Sequence, residues 1–183
     1  MTLRIARPED GADIADIFAP FVANTVITFE EIPPTAADMS ARIEKTLRTH
    51  PWLVVEENGK VVAYAYATQH RARASYRWSC DASVYVAETA RRRGLARELY
   101  TQLFETLVKL GFSSVYAGIT LPNAPSVRLH ESIGFQLIGV YPRVGFKLGE
   151  WLDVGWWGRD LQTLSDTPAA PLLFGEYTEL FAG

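Results

Sequence analysis

The segment PWLVVEENGKVVAYAYA, Pro51 to Ala67, holds two β-rich runs, Trp52 to Glu56 and Lys60 to Thr68, separated by Asn58-Gly59. Asn-Gly accepts the positive φ angles that a tight turn needs, so the two runs should close as an antiparallel hairpin. Downstream the pattern changes. Tyr76 to Val86 reads as a strand and Gly94 to Leu110 as a helix, with Leu95, Leu99, Leu103, Leu107 and Leu110 near helical spacing. Ser113 to Thr120, Phe135 to Tyr141 and Trp151 to Trp157 read as strands, with a short helix over Ala124 to Ile133.

Upstream of the hairpin, Leu3 to Arg7 alternates as a short strand, and Pro8 with Glu9-Asp10 suits a first helical turn. Ile14, Ile17, Phe18, Phe21 and Val22 then form one apolar stripe that ends near Asn24. Thr25 to Pro34 is a loop closed by Pro33-Pro34, after which Thr35 caps a helix with Met39, Ile43 and Leu47 on one face. A hairpin followed by strand–helix alternation requires an α/β fold: a mixed sheet of about six or seven strands with helices on both faces.

The length of 183 residues suits one domain, expected over residues 1–163, with residues 164–183 as an irregular tail lying on the surface or on a partner. With 18 basic against 21 acidic residues and no basic run longer than Arg91-Arg92-Arg93, a nucleic-acid partner is not expected. The apolar runs fall short of the ~18 to 20 residues that span a bilayer, so no membrane role is expected. The single cysteine, Cys80, has no intramolecular partner, and Met1 to Asp10 carries charges where a signal peptide is apolar. A cytoplasmic protein is the expectation.

The run Tyr85-Val86-Ala87-Glu88-Thr89-Ala90-Arg91-Arg92-Arg93-Gly94-Leu95-Ala96 places a basic, glycine-containing turn between a strand and a helix start. Free N–H groups at a helix N-terminus and the positive end of its dipole favour an anion, and glycine permits close backbone approach. Taken alone, the same run also describes a solvated helix start. It is neither a Walker loop nor a dinucleotide fingerprint.

Arg91-x-x-Gly94-x-Ala96, following the strand, and Asn123-Ala124-Pro125-Ser126 with His130 and Gly134-Phe135 together resemble the GNAT superfamily of acetyl-CoA-dependent N-acetyltransferases. The resemblance covers about residues 3 to 160. Four segments, Pro51 to Ala67, Ser83 to Leu103, Gly118 to Phe135 and Gly145 to Trp157, look like the branch acting on phosphinothricin, methionine sulfone and methionine sulfoximine. It implies the GNAT fold and acetyl-CoA as cosubstrate. The coenzyme contacts implied are Arg91, Arg92, Arg93, Gly94, Leu95 and Ala96 at the turn, Asn123 and Ser126 downstream, and Val84, Tyr85 and Val86 on the strand. It also implies a homodimer, with the aromatic end that holds Lys147, Trp151, Asp153, Trp156 and Trp157 near the shared interface.

An amine attacks a thioester only as the free base, so a proton acceptor is required. Asp81, Ser83 and Tyr85 share one face of their strand by period-2 alternation, and Asp81 is the candidate base or water-orienting residue. The branch usually has glutamate there; aspartate is shorter by roughly one carbon–carbon bond, about 1.5 Å. A structural role on the strand is the alternative. His130 is the candidate acid for the leaving thiolate, against a packing role on its helix; His50 and His70 have no comparable context. No histidine pair has metal-ligand spacing, so no metal is expected.

Arg71 and Arg73 share a face if the strand reaches them, with Tyr76 close behind, and two guanidinium groups suit a substrate carboxylate. An exposed, charged strand end is the alternative. Phe29 and Glu31 are candidates for the pocket's apolar wall and an acidic contact, and Phe29 also suits a core anchor. The leading expectation is acetyl transfer to the α-amine of a small amino acid or analogue. Two others are weighed: a peptide N-terminus or polyamine as acceptor, and a coenzyme-binding regulatory module without turnover. Arg71 and Arg73 favour an anionic acceptor over a polyamine.

Overall fold

A computed structural model describes residues 1–177. Its elements are β1 (Thr2–Ile5), α1 (Gly11–Asn24), α2 (Ala36–Leu47), β2 (Trp52–Glu57), β3 (Lys60–Gln69), β4 (Ser79–Val86), α3 (Leu95–Leu110), β5 (Ser114–Leu121), α4 (Ala124–Ser132), β6 (Gln136–Lys147) and β7 (Glu150–Asp160). The seven strands form one sheet in the order β1-β2-β3-β4-β5-β7-β6. β4 and β5 pair in parallel and the remaining neighbours antiparallel. This is the mixed α/β architecture that the sequence pattern requires.

Period-2 alternation divides β3 between two cores. Ala63, Ala65 and Ala67 face α3, where their small side chains let Leu99, Leu103 and Leu107 pack close to the sheet. Tyr64 faces the other way, and the register shift opposite Val55 and Glu56 turns Val61 to that side too, so both join Trp52 and Val54 against Ile14 and Phe18 of α1 and Met39 and Ile43 of α2. Thr35 caps α2 reciprocally: its hydroxyl accepts from the Asp38 N–H at 3.1 Å, and its own N–H donates to the Asp38 carboxylate at 2.9 Å.

Several boundaries differ from expectation. Pro8–Asp10 forms a separate 3-10 turn before α1. β4 begins at Ser79, not Tyr76, because Ala74–Tyr76 is a 3-10 turn in which the Tyr76 N–H donates to the Arg73 carbonyl at 3.0 Å. Arg71, Arg73 and Tyr76 therefore lie in the loop between β3 and β4 rather than on a strand face. β6 is longer than expected, running to Lys147 as one arm of a hairpin with β7. Its pairing shifts register between Tyr141 and Gly145, which lets the strand continue past Pro142.

Residues 164–177 lack regular structure except for a 3-10 turn at Phe174–Glu176. This segment is fastened to the body: the Trp78 indole donates to the Ala169 carbonyl at 2.7 Å, the Leu172 N–H donates to the Leu110 carbonyl at 2.8 Å, and Phe174 is buried in the α3-side core. The part of the expected tail at 178–183 lies outside the described residues.

Candidate active site

The ladder between β3 and β4 runs on to Ala63↔Val86, whereas the parallel ladder between β4 and β5 consists of Ser79↔Ser114, Cys80↔Val115 and Asp81↔Tyr116. On its other side β5 stays paired with β7 as far as Leu121↔Asp153. The two central strands therefore separate beyond Asp81. Along Ala82 to Val86, the backbone edge of β4 that faces β5 has no ladder partner among the described residues. Unpaired strand edges bind extended amide-containing groups readily, so this wedge is a place for a ligand that carries its own amides.

The start of α3 is built for an anion. Gly94 is its N-cap with φ +81°, a left-handed conformation in which a side chain is strained, and the first helical bonds are Arg97 N–H and Glu98 N–H to the Gly94 carbonyl. The N–H groups of Leu95 and Ala96 precede those bonds and carry the positive end of the helix dipole. The three arginines before it are not equivalent. Arg93 is paired with Glu57 at 2.6 Å, and Arg91 lies 5.5 Å from the Phe21 ring centroid. Arg92 has φ +64° and is exposed. On β4, the Tyr85 ring is wedged against Phe18, Phe21 and Tyr64, which leaves its backbone as the part that can meet a ligand.

Asp81 sits at the vertex of the wedge, opposite Thr68 of β3 and Tyr116 of β5. Its carboxylate contacts His70 Nδ1 at 2.6 Å. Burial pushes the Asp81 carboxyl up from its ordinary range, and the hydrogen bond from His70 opposes that rise. The His70 ring stacks on Tyr116 at 4.6 Å between centroids and meets Tyr76 and Trp156 edge-on. The Trp156 indole N–H is buried without a hydrogen-bond partner among the described residues.

Asn123 N-caps α4, its side-chain oxygen accepting from the Ser126 N–H at 3.2 Å. His130 is turned inward. It is 4% exposed, its Nδ1 lies 2.8 Å from the Ser126 carbonyl and its Nε2 lies 3.2 Å from the Tyr100 hydroxyl, with Phe135 edge-on. Both ring nitrogens are thus occupied by protein groups, and burial pulls the imidazole down toward its neutral form. In this arrangement His130 packs α4 against α3.

Two loops border the wedge. In residues 25–34, Phe29 lies against Gly145 of β6 and Glu30 holds Arg42 through two hydrogen bonds of 2.8 and 2.9 Å. The buried Lys147 ammonium ties the same loop to the end of α1, donating to the Thr28 carbonyl at 2.8 Å and to the Val22 carbonyl of α1 at 2.7 Å. In residues 70–78, the Arg71 guanidinium lies 5.6 Å from the Trp156 ring centroid, with Arg73 exposed beside it. A cavity of about 790 Å³ adjoins the site on the α2 side of the sheet. Its walls include Thr68, the ladder partner of Asp81, with Gln69 and Ser79, and it runs past His50 and Trp52 to Leu172 of the C-terminal segment; Asp81 itself is not in its wall. Among the described residues, no group of three or more His, Cys, Asp or Glu is placed to hold a metal, and no helix is long and apolar enough to cross a membrane.

The wedge at a parallel strand pair, capped by a helix start with a left-handed glycine, defines the class. The chain belongs to the GNAT acetyltransferases, matching the family model described as an acetyltransferase (GNAT) domain over residues 3–156, and it is an acetyl-CoA-dependent N-acetyltransferase. It is 38% identical over 169 residues to a phosphinothricin N-acetyltransferase of Streptomyces viridochromogenes, covering 92% of this chain and 90% of that protein. It is 35% identical to an L-methionine sulfoximine/L-methionine sulfone acetyltransferase of Salmonella typhimurium, covering 93% and 98%. Among solved structures, a phosphinothricin acetyltransferase from Sinorhizobium meliloti in complex with acetyl-CoA superposes with a TM-score of 0.85 at 33% identity, covering 94% and 97%.

His70, Tyr116 and Trp156 gather around the Asp81 carboxylate, and Lys147 holds the neighbouring loop; pattern reading sets His70 aside, places Trp156 and Lys147 in the aromatic end, and does not single out Tyr116. His70 was legible in principle. The β3–β4 register pairs Thr68 with Asp81, and position 70 lies two residues further along on the same face, so an imidazole there falls diagonally beside the carboxylate.

Proposed function

We propose that this enzyme moves the acetyl group of acetyl-CoA to the α-amine of a small amino acid or amino-acid analogue of the phosphinothricin, methionine sulfone or methionine sulfoximine type. The observation that carries the reading is the Asp81 carboxylate at the vertex of the wedge, with the cationic loop of Arg71 and Arg73 beside it. The carboxylate offsets the positive charge of the incoming ammonium as it gives up its proton, and the guanidinium groups hold the substrate carboxylate. Tyr76, edge-on to the His70 ring, is assigned to the acceptor side of the site, with Phe29 and Glu31 of the 25–34 loop as its apolar wall and acidic contact.

Acetyl-CoA supplies an activated acyl group. The unpaired edge at Val84, Tyr85 and Val86 holds its amide-bearing arm. The N–H groups at Gly94, Leu95 and Ala96 receive its pyrophosphate, with Arg91 and Arg92 adding charge and Arg93 bracing the turn through Glu57. Asn123 and Ser126 order the first turn of α4 on the opposite side of the wedge. The row of exposed apolar side chains at Leu137, Ile138, Val140, Tyr141 and Phe146 on β6 supports a second copy of the chain as partner.

Thiol release from acetyl-CoA, measured with phosphinothricin, methionine sulfone, ordinary amino acids, a peptide and a polyamine, tests the reading. Turnover with the free amino acids or analogues is expected. Turnover confined to the peptide or the polyamine overturns the substrate class.

A further inference from the structure

We propose that the group receiving the ammonium proton is His70, with Asp81 as the positioning carboxylate behind it. This inference rests on the amine-acetylating reading above and assigns the base within it. Three observations carry it. The Nδ1 of His70 is 2.6 Å from Asp81 Oδ1, and Nε2 has no hydrogen-bond partner among the described residues. The imidazole is held flat against Tyr116, the residue paired with Asp81 at the last rung before β4 and β5 separate, so the ring lies over the vertex of the wedge. Asp81 has a short side chain with its Oδ1 already engaged, and the imidazole extends its reach.

The remaining groups around the ring fit a base. Tyr76 and Trp156 approach edge-on, and the Arg71 guanidinium, stacked on Trp156, is the cation nearest in the loop. The Asp81 carboxylate on Nδ1 fixes the orientation of the ring and aims Nε2 away from the strand, the arrangement that a carboxylate–imidazole pair uses in general-base catalysis.

The chemistry balances without a further reactant. The ammonium passes one proton to His70 Nε2, and the freed nitrogen lone pair forms the C–N bond to the thioester carbon. The carbonyl then re-forms and the C–S bond breaks with its electron pair going to sulfur. The second proton of the attacking nitrogen ends on the thiolate as free thiol, and His70 returns its proton to solvent. One amide, one thiol and one proton leave for each ammonium and thioester consumed.

The test compares wild type, His70→Gln, Asp81→Ala and the double variant, reading kcat against pH together with KM for each substrate. Each single change is expected to lower kcat by about 10²-fold with KM for acetyl-CoA unchanged, and the double variant should lose no more than the worse single, because the two groups act as a unit. The acid limb of the kcat profile should shift in His70→Gln. Nitrogen-15 NMR of the histidine rings supplies a readout independent of turnover: His70 should be held as the Nδ1–H tautomer in wild type and released from it in Asp81→Ala. An active wild type with His70→Gln keeping its rate and pH profile, or a tautomer indifferent to Asp81, overturns the His70 assignment alone. A wild type that acetylates no amine overturns the amine-acetylating reading and the assignment with it.

Discussion

Gly145 and Phe29 give the sharpest perturbation, because the fit between them holds the loop that borders the wedge. A Cβ added at Gly145 would lie 2.8 Å from Phe29 Cδ2 and closer still to two other ring atoms, so in Gly145→Ala the ring must leave its seat. Phe29 is 40% exposed. Full burial of such a side chain is worth about 1.5–3 kcal/mol, so losing the buried part forfeits about 1–2 kcal/mol. Alanine in a strand recovers roughly 0.5–1 kcal/mol relative to glycine, which masks part of the loss in the single variant. A double-mutant cycle removes that offset: in a Phe29→Ala background Gly145→Ala meets no ring, and the coupling energy should be about 1–2 kcal/mol. Urea unfolding of the four proteins measures it. Because Lys147 holds the loop at Thr28 and not at Phe29, the displaced ring should also raise KM for the amine acceptor several-fold while KM for acetyl-CoA stays constant. A coupling below about 0.3 kcal/mol, with both KM values unchanged, refutes the claim that this contact places the loop.

Three further outcomes follow from single residues. Burial pushes His50 down to about 4, so between the ordinary histidine value near 6.5 and that point the unfolded chain takes up a proton that the folded one does not. Stability is then full above about pH 6.5 and falls as pH drops toward 4, by on the order of 3 kcal/mol; His50→Gln should flatten the slope of Tm against pH, and an unaltered slope would show the ring to be solvated. Gly94→Ala forces an L-residue into the left-handed region at a cost of about 1–2 kcal/mol. Titration calorimetry should show weaker acetyl-CoA binding with acceptor KM unaltered, and equal affinity would remove the α3 start from the binding site. His130→Leu leaves the Tyr100 hydroxyl buried without its partner, at about 1–3 kcal/mol. The folded variant should keep kcat within about 3-fold, and a much larger drop would return His130 to the proton-transfer chemistry.

What the sequence disclosed follows the range over which each signal acts. The Asn58-Gly59 hairpin, the leucine stripe of α3 and the Thr35 cap are decided by neighbours within a few positions, and each is found where the pattern puts it. The loop at 70–78 escaped because its arginines and Tyr76 carry strand-compatible residues while a local turn, closed by the Arg73 carbonyl, takes the chain off the sheet. His70 and Trp156 escaped because their meaning is tertiary. An imidazole acquires a partner only when β3 and β4 are in register, and the indole reaches it from β7 across β5. The inward turn of His130 was likewise hidden, since nothing along α4 reveals Tyr100 on α3.

The strand order has a consequence for how the molecule is made. β7 is synthesised after β6 yet occupies the inner position beside β5, so on a growing chain the edge from Ser114 to Leu121 stays bare until residues 150–160 have emerged. Phe174, whose N–H reaches back to the Thr49 carbonyl, closes the α3-side core later still. The strand that backs one wall of the wedge and the plug of one core thus belong to the last fifth of the polypeptide. A chain cut short before that point leaves an open sheet with a sticky flank, and both the backing of the wedge and the closing of the core come only late in synthesis.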